Sequence, residues 1–444
     1  MATVQRPSSS APTPAVPAAA VSGRQLPRVP FPVVDEIARH CAQDAEPNTV
    51  HIEIHLPGRV EPDRLRAAFA EALGRHPRAL MRERARSPLA RRYEWELTDG
   101  PDTEVVTFPA RAPGALARAR ERALSEAPSL TSSPPLRLEV VEEPGRCGCV
   151  LVFTLHHTAL DGPACLRVAA TAAEVYSGRT APVVPAPPRP VSPPAAPQGA
   201  RRASGAARPA RVSAGSPGPT PGNGMLVAEL TVPARQSGAP YTVNDQLLVA
   251  TALTVADWNR AHGAPERPLR ITMPVDDRSR GPEMPIGNGT RLVEVAFTAA
   301  DVADGADIAA LLRRTAERTR ALKARPRPQL GRAAGLLTAP VAPVAVRALV
   351  TRTLRVLAAP WTSTTLLSNI GRVPYPLDFG DAGVADAVWF SAPARMPRGL
   401  TVTTASTGGR LHLVLRWSRA LLCDDDGARL RDLFTHHLDA TEVP

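Results

Sequence analysis

The sequence predicts an α/β (α+β) fold built from two lobes. Short apolar runs rich in β-branched residues alternate with longer segments whose apolar residues recur at helical spacing. Hydrophobic residues make up 43% and charged residues 21% of the 444 residues, as in globular proteins. Residues 181–224 are dominated by Pro, Ala, Arg, Ser and Gly and contain no acidic residue, which indicates a flexible linker. We therefore expect four regions: a disordered tail at 1–24, an N-terminal lobe at 25–180, the linker at 181–224 and a C-terminal lobe at 225–444.

In the N-terminal half, residues 49–56 alternate between apolar and polar side chains, which predicts a half-exposed strand. Residues 61–75 carry Leu65, Phe69 and Leu73 on one face, which predicts an amphipathic helix. The remaining predicted elements of this half are strands at 92–97, 137–141 and 149–155 and helices at 113–126 and 163–176.

In the C-terminal half, the same two patterns alternate less regularly, and strands and long helices are both predicted. The predicted strands lie at 225–232, 269–275, 292–297, 364–367, 385–390, 400–405 and 411–417. The predicted helices lie at 243–262, 306–324, 342–357 and 425–440. The last of these helices begins with acidic residues, which the positive end of the helix dipole favours.

The most informative motif is H-H-T-A-L-D-G at residues 156–162, directly after an apolar run that predicts a buried strand. Pro163 follows and is suited to the first turn of a helix. His156 and His157 therefore leave a core strand and enter a loop, where a neutral imidazole can accept a proton near pH 7. The alternative is structural: two histidines close a strand, and Asp161-Gly162 forms an ordinary turn.

The pattern H-H-x-x-x-D-G at a strand end resembles the signature of the superfamily of condensation domains and CoA-dependent acyltransferases, which includes chloramphenicol acetyltransferase. The resemblance implies two chloramphenicol-acetyltransferase-like lobes that form a V-shaped pseudo-dimer with a tunnel between them. It assigns catalysis to His157, with His156, Asp161 and Gly162 in supporting positions. The likeness extends over most of the chain from about residue 48 onward.

Two further segments resemble the same superfamily. Residues 273–278, M-P-V-D-D-R, followed by I-G-N, are similar to a segment whose arginine pairs with the motif aspartate, so Arg278 is expected to pair with Asp161. The alternative is a solvated loop arginine. Residues 367–371, L-S-N-I-G, resemble a segment that reaches the tunnel, so Ser368 or Asn369 is expected to bind substrate or the oxyanion. An Asn-x-Gly turn at the end of a strand is the alternative.

The function that this resemblance implies is acyl transfer, with formation of an ester or an amide. An acyl thioester on CoA or on the phosphopantetheine of a carrier protein would donate to an alcohol or an amine. No adenylation or carrier domain is recognisable in the sequence, so a free-standing enzyme is expected. The arginine- and alanine-rich composition indicates a GC-rich coding sequence, which together with this favours an enzyme of natural-product biosynthesis. A lipid acyltransferase of the wax-ester type and a catalytically silent scaffold that binds carrier proteins remain as alternatives.

Composition narrows the partners and the compartment. The five cysteines have no zinc-knuckle spacing, and no apolar window is long enough for a membrane span, so reduced thiols and a cytoplasmic location are expected. No bound cofactor, metal or nucleic acid is expected. His51, Glu53 and His55 lie on one face of a predicted strand and could suggest a metal site, but exposed strand faces often carry such polar residues. Between positions 313 and 355 the sequence has eleven basic residues and one acidic residue, Glu317. They predict either a solvated helical face or a docking surface for a carrier protein or CoA phosphates.

Overall fold

The computed structural model describes residues 26–442 except 44, 88, 180–206, 326–328 and 331. The predicted tail at 1–24 and the first 26 residues of the predicted linker lie outside the described residues.

The N-terminal half contains seven strands and four helices in its described part. In chain order these are β1 (Arg28–Pro30), α1 (Val33–His40), β2 (Thr49–Leu56), α2 (Pro62–Arg75), β3 (Met81–Glu83), β4 (Glu94–Leu97), β5 (Val106–Thr107), α3 (Ala115–Ser125), β6 (Leu136–Val141), β7 (Cys149–His156) and α4 (Gly162–Ser177). The predicted strands and helices of this half are all present with small shifts at their ends. The sequence did not predict β1, α1, β3 or β5.

The sheet of the N-terminal lobe has five strands in the order β12-β2-β7-β6-β5, where β12 (Ala387–Ser391) comes from the C-terminal half. β7 lies in the middle and pairs antiparallel with β2 and β6. All its residues except His156 are buried, as the apolar run predicted. α2 and α4 pack on each other, and α3 lies against β2 and β7. The central strand therefore delivers its last residue to the edge of a rigid core.

The C-terminal half supplies the other elements. In chain order these are β8 (Asn223–Thr231), α5 (Val243–Ala261), β9 (Leu269–Asp276), β10 (Thr290–Phe297), α6 (Ile308–Ala324), α7 (Arg332–Leu337), α8 (Val344–Leu357), β11 (Thr365–Arg372), β12, β13 (Leu400–Thr407), β14 (Arg410–Ser418) and α9 (Asp424–Asp439). Only α7 was not predicted. Six of the strands form a second sheet in the order β10-β9-β11-β13-β14-β8, and a small third sheet has the order β1-β4-β3.

Two parts of the C-terminal half cross to the N-terminal lobe. β12 pairs antiparallel with β2 over five residue pairs and so satisfies the backbone groups of what would otherwise be an edge strand. α7 and α8 pack against α1. Arg347 of α8 is buried there and pairs with Glu36 at 2.9 Å. Long-range pairing of this kind leaves no local signal in the sequence.

The end of the predicted linker is packed rather than free. Ala210 and Val212 are buried against the core of the C-terminal lobe. The Asn259 side chain accepts a hydrogen bond from the Ser213 amide (2.8 Å) and donates one to the Arg211 carbonyl (2.7 Å). Residues 207–222 therefore belong structurally to the C-terminal lobe. Composition could not reveal this, because the segment has no periodic apolar pattern. The Asn259 side chain holds it through hydrogen bonds to its backbone.

Part of the positive charge between residues 313 and 355 is neutralised by ion pairs. Arg314 and Arg318 both pair with Asp301, at 3.1 and 3.0 Å. Arg347 is buried with Glu36, as described above. The expectation that only Glu317 opposes these charges is therefore wrong in three dimensions, because carboxylates distant in sequence reach them.

Candidate active site

His157 lies immediately after β7, in the turn that leads to α4. Its amide donates to the Asn48 carbonyl at 2.7 Å, which ties the turn to the residue before β2. Asp161 then caps α4: its Oδ1 accepts a hydrogen bond from the Ala164 amide at 3.0 Å. The imidazole therefore projects from a turn that is fixed on both sides.

The hydrogen bond of the ring defines the tautomer of His157. Nδ1 lies 3.1 Å from the Leu160 carbonyl oxygen, which can only accept, so Nδ1 carries the proton. The lone pair of the neutral ring is then on Nε2. Burial lowers the pKa of His157, although the Asp161 carboxylate acts in the opposite direction. The His157 ring is thus neutral at physiological pH.

This pKa direction leads to a prediction for the pH profile. Because the pKa of His157 is lowered, its neutral form persists below the ordinary histidine range. We expect the acid limb of kcat/KM to inflect below about pH 6.5, measured over a series of buffers at constant ionic strength. An acid limb at or above that value would contradict the assignment.

Asp35 supplies the control for this profile. Burial raises the pKa of Asp35 to about 6, and its Oδ1 accepts a hydrogen bond from Asn288 at 2.9 Å. An Asp35→Asn variant removes this titration. If the acid limb stays in place in that variant, it does not come from Asp35.

His156 has a different environment. Its Nδ1 accepts a hydrogen bond from the Thr158 amide at 3.1 Å, so the ring closes the turn. Burial lowers the pKa of His156 to about 3. His156 is absent from the residues that line the chamber described below. Its contacts are those of a residue that shapes the loop.

Asp161 and Arg278 are 117 residues apart in sequence and form an ion pair, with Nη2 and Oδ2 at 2.7 Å. The Asp161 side chain is 3% exposed and that of Arg278 is 10% exposed. Arg278 also pairs with Asp276 (2.9 Å) and donates to the carbonyls of Pro285 and Gly287 (both 3.1 Å). The guanidinium therefore links the histidine turn to the segment that follows β9.

Gly289 completes this contact. Its amide donates to Asp161 Oδ2 at 2.9 Å. A Cβ at this position would lie 2.3 Å from Arg278 Nε, so a side chain cannot be accommodated while the guanidinium stays in place. The sequence contained the G-N-G segment but gave no sign of this role.

Asn288 connects the same segment to the histidine turn. Its Nδ2 lies 3.1 Å from the His157 carbonyl, 2.9 Å from the Thr158 carbonyl and 2.9 Å from Asp35. The motif resemblance marked Asn288 without a role, and Asp35 was not singled out at all. Asp35 lies in α1, whose apolar residues recur at helical spacing, but the residues that the helix buries are the polar Asp35, Glu36 and His40.

A chamber of about 420 Å³ lies between the two halves and is lined by residues of both. His157, Asp161 and Gly162 line it from the N-terminal half. Ser368 and Asn369, from β11, line it from the C-terminal half. The structure therefore places these predicted residues around one chamber. Arg278 does not line the chamber itself but pairs with Asp161, which does.

The two predicted substrate-binding residues differ in their contacts. Asn369 Oδ1 accepts a hydrogen bond from the Gly371 amide at 2.8 Å, and its Nδ2 lies 3.4 Å from Asn244 Oδ1. These are the contacts of an Asn-x-Gly turn. Within the described part of the chain, no hydrogen bond of the Ser368 hydroxyl is found, which leaves Ser368 as the better hydrogen-bond donor to a bound group.

The polar residues of β2 show no arrangement of metal ligands. Both oxygens of Glu53 accept from Arg120, and His55 Nε2 lies 2.9 Å from Glu53 Oε2. Among the described residues, no group of three or more His, Cys, Asp or Glu side chains is placed to hold a metal ion. No helix within the same residues is long and apolar enough to cross a membrane.

The chain is similar to two curated sequences, both proteins of Mycobacterium tuberculosis described as uncharacterized. They are MT2362 of strain CDC 1551 / Oshkosh and Rv2305 of strain ATCC 25618 / H37Rv. Each is 30% identical over 398 residues, which cover 83% of this chain and 89% of the relative. This chain belongs to the Rv2305 family. No family model matches the sequence.

Solved structures identify the fold of this Rv2305 relative. The condensation domain of the Monacolin K polyketide synthase MokA matches 94% of the chain with a TM-score of 0.61 and 13% identity, over 98% of its own length. TRI3 trichothecene 15-O-acetyltransferase from Fusarium sporotrichioides matches 98% with a TM-score of 0.65 and 13% identity, over its full length. A variant starter condensation domain of rhizomide synthetase RzmA, in complex with C8-CoA and Leu-SNAC, matches 92% of each chain with a TM-score of 0.62 and 15% identity. The predicted fold class is therefore confirmed.

Proposed function

We propose that this protein is an acyltransferase that moves an acyl group from a thioester to an alcohol or an amine, with His157 as the general base. The observation that carries the proposal is the Nδ1–Leu160 hydrogen bond, which leaves the lone pair on Nε2 of a residue that lines the chamber. The likeness to condensation-domain and acyltransferase structures supports it.

The proposed reaction needs no covalent acyl-enzyme. Nε2 of His157 takes the proton from the acceptor hydroxyl or amine as its oxygen or nitrogen attacks the thioester carbonyl carbon. The tetrahedral intermediate then collapses, the carbon–sulfur bond breaks, and the thiolate leaves and takes the proton from His157. The Ser368 hydroxyl is our candidate donor to the oxyanion. Asp161 holds the loop and does not transfer a proton.

The donor is either a CoA thioester or an acyl group on the phosphopantetheine arm of a carrier protein. Both present the same thioester, and the C8-CoA bound in the RzmA domain supports the first. Gly162, at the first turn of α4, lines the chamber and would let the pantetheine arm pass close to the backbone. We place the reaction in natural-product biosynthesis, where both donors occur.

A lipid-type acyltransferase is the second candidate, and an exposed apolar surface favours it. Most large apolar side chains of α8 and of the segments beside it face solvent, although those of most surface helices face the core. They are Leu336, Val341, Val346, Leu349, Val350, Leu354, Val356, Leu357 and Trp361. Arg355 of the same helix lines the chamber. Such a surface suits contact with a lipid aggregate that carries the acceptor.

A thiol-release assay tests the proposal. Purified protein is mixed with acyl-CoA or an acyl-loaded carrier protein and with a panel of alcohols and amines, including long-chain alcohols in vesicles. We expect acceptor-dependent release of free thiol and an ester or amide product by mass spectrometry. Release only with vesicle-borne alcohols would favour the lipid candidate. No release with any donor would favour the silent scaffold.

A further inference from the structure

Three arginines line the chamber together at one end: Arg355 from α8, and Arg395 and Arg398 from the segment between β12 and β13. The acyl-transfer mechanism above makes no use of them. Their charges act on one another, since Arg355 lowers the pKa of both Arg395 and Arg398. The chamber therefore contains a concentration of positive charge.

None of the three forms an ion pair with a carboxylate within the described residues. Arg395 uses one of its five N–H groups, on Nη1, to donate to the Cys41 carbonyl at 3.0 Å. Arg398 donates only to hydroxyls, those of Ser363 (2.8 Å) and Thr272 (3.3 Å). Arg355 donates to the carbonyls of Cys41 and Met396 (2.8 and 2.9 Å) and to Gln43 Oε1 (3.2 Å).

Other arginines with little exposure provide a comparison. Arg416 is fully buried and has no carboxylate partner within the described residues, but all three of its nitrogens donate to Asn223 or Thr49. Arg278 and Arg347 pair with a carboxylate at 2.7 and 2.9 Å. This is expected, because a buried charge is costly unless a counter-ion compensates it. Burial lowers the pKa of Arg395 and Arg398 to about 10, so both remain charged at neutral pH. Glu46 and Glu294 act on them only from beyond ion-pair distance.

A purely structural role accounts for part of these contacts. Arg355 and Arg395 both reach the carbonyl of Cys41, which ends α1, and cations stabilise that end of a helix. This role does not include Arg398, which has no contact with α1. The structural role also does not explain the other four N–H groups of Arg395, which have no partner within the described residues.

We propose that Arg355, Arg395 and Arg398 form a subsite for a carboxylate carried by a substrate inside the chamber. This inference rests on the proposed function, because it names the class of substrate that the acyltransferase accepts. A guanidinium recognises a carboxylate through two parallel N–H donors. His157 lines the same chamber as the three arginines, so the subsite shares the space in which the proposed reaction takes place. The phosphates of CoA are a second possible anion, but a phosphate contact would be the same for two CoA thioesters that differ only in a carboxylate on the acyl chain.

The carboxylate can belong to the acyl group or to the acceptor, and two ligand pairs separate these sources. Succinyl-CoA and butyryl-CoA differ in a carboxylate on the acyl chain. Leucine and leucinamide differ in a carboxylate on the acceptor amine. Binding is measured by calorimetry on the His157→Ala variant, in which turnover does not consume the ligands. We expect one pair to show a preference of about tenfold or more for its acidic member.

Arg395→Gln and Arg398→Gln, each in the His157→Ala background, should abolish that preference and leave the affinity for the neutral member within about twofold. Arg398→Lys should retain part of the preference, because it keeps the charge. Arg235→Gln, an exposed arginine outside the chamber lining, is the matched control and should change nothing. Thermal unfolding of each variant verifies that it is folded.

Equal binding of the acidic and neutral members in both pairs would overturn the subsite. An equal loss of affinity for both members in Arg395→Gln and Arg398→Gln would overturn it too. These outcomes are separate from failure of the proposed function. A clear acidic preference without thiol release from any donor would keep the subsite and refute acyl transfer.

Discussion

Replacing His157 with alanine should lower the rate of acyl transfer by at least about a hundredfold and leave the fold intact. His157 is the ring whose Nδ1 is held by the Leu160 carbonyl and whose Nε2 lone pair remains for a proton. The measurement is kcat and kcat/KM for thiol release, compared with wild type at the same donor concentrations. Near-normal turnover in the variant would refute general-base catalysis by this residue.

His156→Ala is the matched control, since the neighbouring histidine also ends β7. Its Nδ1 accepts from the Thr158 amide and is used within the turn. We expect this variant to change thermal stability more than turnover. If His156→Ala lost as much activity as His157→Ala while remaining equally stable, the two roles would have to be exchanged.

Breaking the Asp161–Arg278 pair should destabilise the protein by about 3–5 kcal/mol, because the surviving charge stays buried. Both side chains are at most 10% exposed. Asp161→Ala also removes the cap of α4 and the acceptor of the Gly289 amide. Arg278→Ala leaves Asp276 and Asp161 without their shared cation. Urea unfolding of each variant gives the change in the free energy of unfolding.

The double variant tests whether the two side chains act together. Its loss should fall short of the sum of the single losses by about 0.5–3 kcal/mol. Asp161→Asn separates the two roles of the aspartate, because the amide keeps an oxygen for the Ala164 amide and loses the charge. Strict additivity of the two alanine variants would contradict a direct energetic coupling.

Most regular elements could be predicted from the sequence because their signals are local. The buried run of β7, the alternation of β2 and the apolar face of α2 predicted elements that the structure contains. The prediction that β2 is half-exposed was wrong: seven of its eight residues are buried, because α3 packs against it. The motif at the end of β7 also indicated a histidine that lines the chamber. What the sequence missed are elements whose stability comes from distant partners: α1 turns its polar side chains inward, toward Trp95 and Arg347.

The sequence by itself determined the strand–turn–helix unit that carries His157, because apolar patterning, a capping aspartate and a proline act within a few residues of one another. Apart from the Arg278–Asp161 pair, which the resemblance implied, only the tertiary structure decided what surrounds that unit. Gly289 reaches Asp161 from more than a hundred residues away, and β12 crosses between the two lobes. The three arginines of the proposed carboxylate subsite come from two separate segments. Such contacts depend on how the lobes pack, and no local periodicity encodes them.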